Sequence, residues 1–126
     1  MNIIGIGIDI VENERVYKVL EKWPEAFRKK VFLPKEIEYC DQKKFFFRNY
    51  AVRFACKEAA FKACGVGWGR FIGWLDVEVT RAPSGKPSIV FHGKGKVLAD
   101  YKQVKDVMVA LSHSNEYAIA EVILLG

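Results

Sequence analysis

Residues 45–69 read FFFRNYAVRFACKEAAFKACGVGWG, and how this stretch is read decides the fold. At about 3.6 residues per turn, a helix over residues 48–64 puts Phe47, Ala51, Phe54, Ala55, Phe61 and Gly65 within about 60° of Glu58. A carboxylate inside an apolar stripe is costly to desolvate unless a cation or a metal ion faces it. Lys62, one turn further on, offers a plain i,i+4 ion pair, and a metal site is the other reading. On the opposite side Val52, Cys56, Ala60 and Ala63 form a second apolar stripe, so this helix is expected to be packed on both sides, with another subunit as one candidate neighbour.

The same region concentrates positive charge. Lys43, Lys44, Arg48, Arg53, Lys57 and Lys62 stand against the single acid Glu58. Gly65, Gly67 and Gly69 then end the helix, and alternating glycines also let backbone N–H groups close on a phosphate.

Upstream, residues 3–10 are a short apolar run with glycines at 5 and 7, which suits a buried strand approached closely by another backbone. Asp9 falls at its end, where an aspartate serves as a metal ligand or a helix cap. Residues 11–23 turn helical, with Val16, Val19, Leu20 and Trp23 on one side and Arg15, Lys18 and Lys22 on another. Pro24 punctuates the chain, and Pro34 opens a second short helix where its missing N–H costs nothing.

Downstream, residues 74–81 alternate as a strand with Leu75, Val77 and Val79 on one face. A Pro-Ser-Gly-Lys-Pro turn at residues 83–87 leads into a partner strand over 88–91. A glycine-weakened helix over 93–101 precedes two apolar strands, 104–112 and 117–125, joined at residues 113–116. Strands that follow one another directly pair antiparallel, so the expected class is α+β, an antiparallel sheet packed against one long helix and shorter ones.

The 126 residues suit one domain, 1–126, with a real core. Hydrophobic residues make up 51% and charged ones 28%, and no apolar run reaches membrane-spanning length. The N-terminus lacks the basic front and cleavage site of a signal peptide, which points to the cytoplasm. Cys40, Cys56 and Cys64 form no CxxC pair and read as reduced core fillers. A net charge of +5 and a pI near 9.1 suggest an anionic partner: nucleic acid, a phosphorylated small molecule or an acidic protein.

Asp9 and Glu58 are the two acids tied to the buried framework. Magnesium takes one or two carboxylates, keeps waters and completes its octahedron with phosphate oxygens, so this pair with Lys62 nearby suits metal-assisted chemistry at a phosphate. His113 is a candidate for a phosphate contact or proton transfer, whereas His92 has no such context. No zinc set, Ser-His-Asp arrangement or P-loop is present in the sequence.

Four blocks in order, GIGIDIVENERV, RFACKEAAFKACGVG, SGKP and ALSHSNEYAIAEVI, resemble the holo-[acyl-carrier-protein] synthases, the small phosphopantetheinyl transferases. The chain departs from their pattern at Val66, where threonine is frequent, at Cys56, where alanine is usual, and in the aromatic triplet before Arg48. The resemblance implies the phosphopantetheinyl transferase fold and a magnesium-dependent reaction serving fatty acid biosynthesis. A carrier-protein serine attacks the β-phosphate of coenzyme A, taking 4′-phosphopantetheine and releasing adenosine 3′,5′-bisphosphate. By match to the family motifs Asp9 and Glu58 hold magnesium and Lys62 neutralises phosphate. Arg53, Gly65, Gly67, Lys86, Pro87 and His113 line the coenzyme A site, and the base is a metal-held water or Glu58. The resemblance further implies a homotrimer with active sites between subunits. Arg15 and Phe27 match docking positions for the acidic acyl carrier protein, and charge extends that surface to Lys18, Lys22 and Arg28. Two other classes stay open from residues alone: a metal-dependent nuclease, and a basic RNA-binding module using Phe45 to Phe47 for base stacking.

Overall fold

The computed structural model describes residues 1–67 and 71–126. Ile3–Glu12 forms strand β1, followed by helices α1 (Asn13–Lys22), α2 (Pro24–Val31), α3 (Pro34–Asp41) and the long α4 (Phe46–Ala63). A single 3-10 turn (Trp74–Asp76) leads into β2 (Val77–Arg81) and β3 (Pro87–Phe91). Helix α5 (Gly93–Tyr101) and strands β4 (Asp106–His113) and β5 (Tyr117–Leu125) complete the chain. The expected α+β class holds, with one change. The strands form two sheets instead of one: a three-stranded sheet in the order β1-β5-β4 and a separate β2-β3 hairpin, all antiparallel.

Local sequence explains most element ends. Pro24 and Pro34 each occupy the first turn of a helix, and Glu36 reaches back to accept the Leu33 N–H at 2.8 Å. Helix α4 closes in a Schellman motif: Gly65 takes φ +74°, its N–H bonds the Lys62 carbonyl at 3.0 Å, and Val66 N–H bonds the Phe61 carbonyl at 3.2 Å. Gly69, the last of the alternating glycines, lies outside the described residues. Leu75 falls in the 3-10 turn and is exposed, so only Val77 and Val79 of the expected strand face are buried.

Helix α4 lies on the three-stranded sheet, and two glycines make that approach possible. A Cβ at Gly5 would meet the Ala63 carbonyl oxygen, and one at Gly7 would meet the Ala59 carbonyl oxygen. Strand and helix therefore touch backbone to backbone. Ala118, Ala120, Val122 and Leu124 of β5 are fully buried beneath the helix layer.

The second apolar stripe of α4, Val52, Cys56, Ala60 and Ala63, is buried by its own chain and leaves no face for a subunit. The uncovered apolar surface is elsewhere, on the outer face of the sheet. Ile6, Ile8 and Ile10 are 56%, 56% and 57% exposed, with Met108 and Ile119 beside them.

A buried polar arrangement holds the helices to the second sheet. Lys57, counted from sequence in the basic cluster, is fully buried; its ammonium donates to Glu36 Oε1 at 2.8 Å and to the carbonyls of Trp74 at 3.0 Å and Val77 at 2.7 Å. Burial pushes the Lys57 ammonium below the usual lysine range, with the Glu36 charge opposing. All three cysteines are free and buried, and burial pushes the Cys40 and Cys56 thiols up to about 12, which keeps them unreactive.

Candidate active site

The close approach of α4 to β1 is what assembles the site. Asp9 shares the helix-facing side of β1 with Gly5 and Gly7, since side chains alternate along a strand. The strand runs on to Glu12, paired with Tyr117, so Asp9 sits inside it and is not the helix cap that residues alone allowed. Glu58 and Lys62 lie one turn apart on α4, next to the alanines that touch the glycines.

Asp9 and Glu58 line one cavity of about 280 Å³, with Arg15, Val16, Val19, Phe27 and Phe54 among its other walls. Lys62 crosses to the strand: its ammonium donates to Asp9 Oδ1 at 2.9 Å and to the Ile8 carbonyl at 3.0 Å. The helix ion pair with Glu58 is thus replaced by one between elements. Among the described residues nothing hydrogen-bonds or pairs with the Glu58 carboxylate. Burial raises its carboxyl above the usual glutamate range, and the negative charge of Asp9 adds to the rise while Lys62 opposes it.

Two acids bordering one cavity, one of them unpaired and pushed up by burial and by the other, suit a divalent cation that would neutralise both. Among the described residues no three His, Cys, Asp or Glu side chains converge. Such an ion would therefore keep positions for water or phosphate oxygens, which fits magnesium better than zinc.

The other residues singled out from sequence divide by location. Gly65 and Gly67 follow α4 directly, and a Cβ at either would meet nothing within 4 Å. Lys86 and Pro87 sit at the β2–β3 turn. Arg53 occupies another side of α4, 3% exposed, over the Tyr39 ring at 4.3 Å, and lines a different cavity with Lys35 and Arg81. His113 ends β4 and borders a third, basic cavity with Lys43, Lys44, Arg48 and Arg81. Within one chain, then, Arg53, Lys86, Pro87 and His113 do not line the Asp9–Glu58 cavity.

The docking residues also divide. Arg15 and Phe27 form walls of the acidic cavity, Phe27 packing on Phe32 and Phe54. Lys18 pairs with Glu14 at 3.5 Å on the surface, and Lys22 lies over the Trp23 ring at 4.4 Å. Arg28 is not a free docking cation. It donates to Asp41 at 3.2 Å, to the Tyr50 hydroxyl at 3.0 Å and to the Pro24 carbonyl at 2.9 Å, tying α2 to α3 and α4.

Sequence reasoning missed the Lys57–Glu36 pair and the Arg28–Tyr50–Asp41 cluster. The spacing of Lys57, three residues after Phe54 and four before Phe61, was the signal that it lies on an apolar side of the helix.

Comparison with known proteins gives this geometry a family. The 4′-phosphopantetheinyl transferase superfamily model matches residues 5–122. The holo-[acyl-carrier-protein] synthase of Koribacter versatilis is 41% identical over 122 residues, covering 97% of this chain and 98% of that protein. That of Syntrophus aciditrophicus is 44% identical over 122 residues, covering 97% and 95%. The Helicobacter pylori synthase, solved in complex with coenzyme A, superposes with TM-score 0.85 at 32% identity over 95% of this chain and 99% of that one. This match in sequence and in fold takes the place of the nuclease and RNA-binding alternatives: the chain belongs to the 4′-phosphopantetheinyl transferase superfamily.

Proposed function

We propose that this chain is a holo-[acyl-carrier-protein] synthase that transfers 4′-phosphopantetheine from coenzyme A to a serine of apo acyl carrier protein. The observation that carries the reading is the placement of Asp9 and Glu58 in one cavity, with Lys62 at 2.9 Å from Asp9, in a chain of this superfamily. The coenzyme A bound by the Helicobacter pylori relative supports the donor, and the names of the relatives support the acceptor.

Asp9 and Glu58 are the residues that would hold magnesium. When bound, the ion neutralises charge on the pyrophosphate as the transition state forms. The serine Oγ forms its bond to the β-phosphorus as the bond from that phosphorus to the bridging oxygen breaks, and adenosine 3′,5′-bisphosphate leaves. Lys62 is held at the Asp9 edge of the cavity, where its charge offsets that of the transferring phosphate. The acceptor of the serine proton is Glu58 or a water that the ion would hold. Gly65 and Gly67 offer open backbone beside α4.

Arg15 and Phe27, in the wall of the same cavity, form the docking surface for the acidic carrier, with Lys18 and Lys22 along α1 adding long-range attraction. The active unit is a homotrimer. The exposed apolar sheet face supports association, and a neighbouring copy would bring Arg53, Lys86, Pro87 and His113 to the Asp9–Glu58 cavity of the first. The number three rests on the family resemblance. Among the described residues no helix is long and apolar enough to cross a membrane; the cytoplasm and fatty acid biosynthesis are taken from the family resemblance.

Intact-mass measurement of an apo carrier incubated with the protein, coenzyme A and magnesium tests this reading. One phosphopantetheine added is the expected result; no gain on several carriers would contradict it.

A further inference from the structure

The buried cation at the centre of α4 takes no part in the chemistry described above, yet it is the immediate chain neighbour of Glu58. All three ammonium protons of Lys57 are directed: to Glu36 Oε1 at 2.8 Å, to the Val77 carbonyl at 2.7 Å and to the Trp74 carbonyl at 3.0 Å. Glu36 is equally committed, accepting the Leu33 N–H at 2.8 Å and the Val79 N–H at 3.0 Å. Five charge-assisted bonds therefore join α3, α4, the 3-10 turn and β2 at one point.

Stability alone does not call for such a pair, because well-packed apolar side chains of similar volume often serve as well or better than a buried ion pair. What apolar packing does not supply is direction. An apolar contact tolerates a small rotation of the helix; three hydrogen bonds from one ammonium do not.

That orientation reaches the cavity by two routes. Fixing Lys57 fixes the azimuth of α4, and with it the side on which Glu58 faces Asp9. Holding the Trp74 carbonyl also fixes the Trp74 ring, which stacks on Phe54 at 5.0 Å and 21° and meets Phe61 edge-on at 5.0 Å. Phe54 is itself a wall of the Asp9–Glu58 cavity.

We infer that Lys57 is a positioning residue of the transfer reaction: its grip on Glu36, Val77 and Trp74 holds Glu58 and the Phe54 wall in the geometry that binds the metal ion and the substrates. The inference rests on the transferase reading proposed above.

The test compares Lys57→Met with Leu124→Ala, a core truncation on the sheet side of α4 and outside the cavity. Both are assayed at the same interval below their own Tm, for kcat, for KM toward coenzyme A, and for Mn²⁺ binding followed by electron paramagnetic resonance without substrates. Lys57→Met is expected to lose about a hundredfold in kcat and about tenfold or more in Mn²⁺ affinity, while Leu124→Ala keeps both. If Lys57→Met loses Tm but keeps wild-type kcat and Mn²⁺ affinity, the ammonium is only a structural tie and the inference is overturned. Should Lys57→Met not fold by circular dichroism, Glu36→Gln takes its place; weakened Mn²⁺ binding supports the inference and unchanged binding overturns it. Wild-type protein that binds Mn²⁺ but modifies no carrier would refute the transferase reading, and the Mn²⁺ titrations would still decide the role of Lys57.

Discussion

The ammonium of Lys62 lies 2.9 Å from Asp9 Oδ1, a contact between residues 53 positions apart that joins the long helix to the first strand. It leaves Glu58, one turn away on the same helix, without an ion-pair partner among the described residues. The lysine thus pairs with the strand acid, while the helix acid faces the cavity unpaired.

Lys62→Met should lower kcat by about a hundredfold, the usual cost of removing one group aimed at developing charge. The Lys62 side chain is 54% exposed, so its ion pair adds little to stability and Tm should move only slightly. Steady-state kinetics beside a thermal melt checks both; a large fall in Tm with kcat intact would reverse the assignment.

Glu58→Gln should abolish metal-dependent activity and raise Tm in metal-free buffer at neutral pH. A carboxyl that holds its proton more tightly folded than unfolded withdraws stability as pH rises from the ordinary glutamate range through its raised folded value. The gain in Tm should therefore close as pH falls below about 4.3, where both states of the wild type carry the proton. Calorimetry across pH reads this, and a variant less stable than wild type at neutral pH would count against it.

Arg15→Glu should raise KM for the carrier while leaving KM for coenzyme A near wild type, because Arg15 lies in the cavity wall with no intramolecular ion pair among the described residues. Arg28→Ala should behave differently, lowering Tm through the loss of its bonds to Asp41 and Tyr50. An Arg15 variant with unchanged carrier dependence would remove that residue from the docking surface.

The parts of this structure that follow from local pattern were legible in the sequence. The 3.6-residue periodicity gave α4, the glycines at 5 and 7 announced a close backbone approach, and two apolar runs gave β4 and β5. Asp9 and Glu58 stood out because each was an acid in an apolar setting. What was not legible depended on partners distant in the chain. Lys57 looks like its neighbours Arg53 and Lys62 until Glu36 and the Trp74 carbonyl are brought to it. Arg28 looks like a docking cation until Tyr50 and Asp41 close on it. The split into two sheets was equally hidden, since antiparallel hairpins have the same local pattern whether or not they join one sheet.

Ile8→Asp places a charge at the centre of the exposed apolar sheet face without entering the core. Light scattering should show the proposed trimer replaced by smaller species, with activity lost in step, as the proposed supply of Arg53, Lys86, Pro87 and His113 by a neighbouring copy requires. An unchanged mass in solution would move the subunit contact to another surface.

The most direct test of a metal ion shared by strand and helix is anomalous diffraction from crystals grown with Mn²⁺ and coenzyme A. The expected result is one strong peak between the carboxylates of Asp9 and Glu58, in contact with the pyrophosphate. A peak at other side chains, or a coenzyme A pyrophosphate bound away from these two acids, would contradict it.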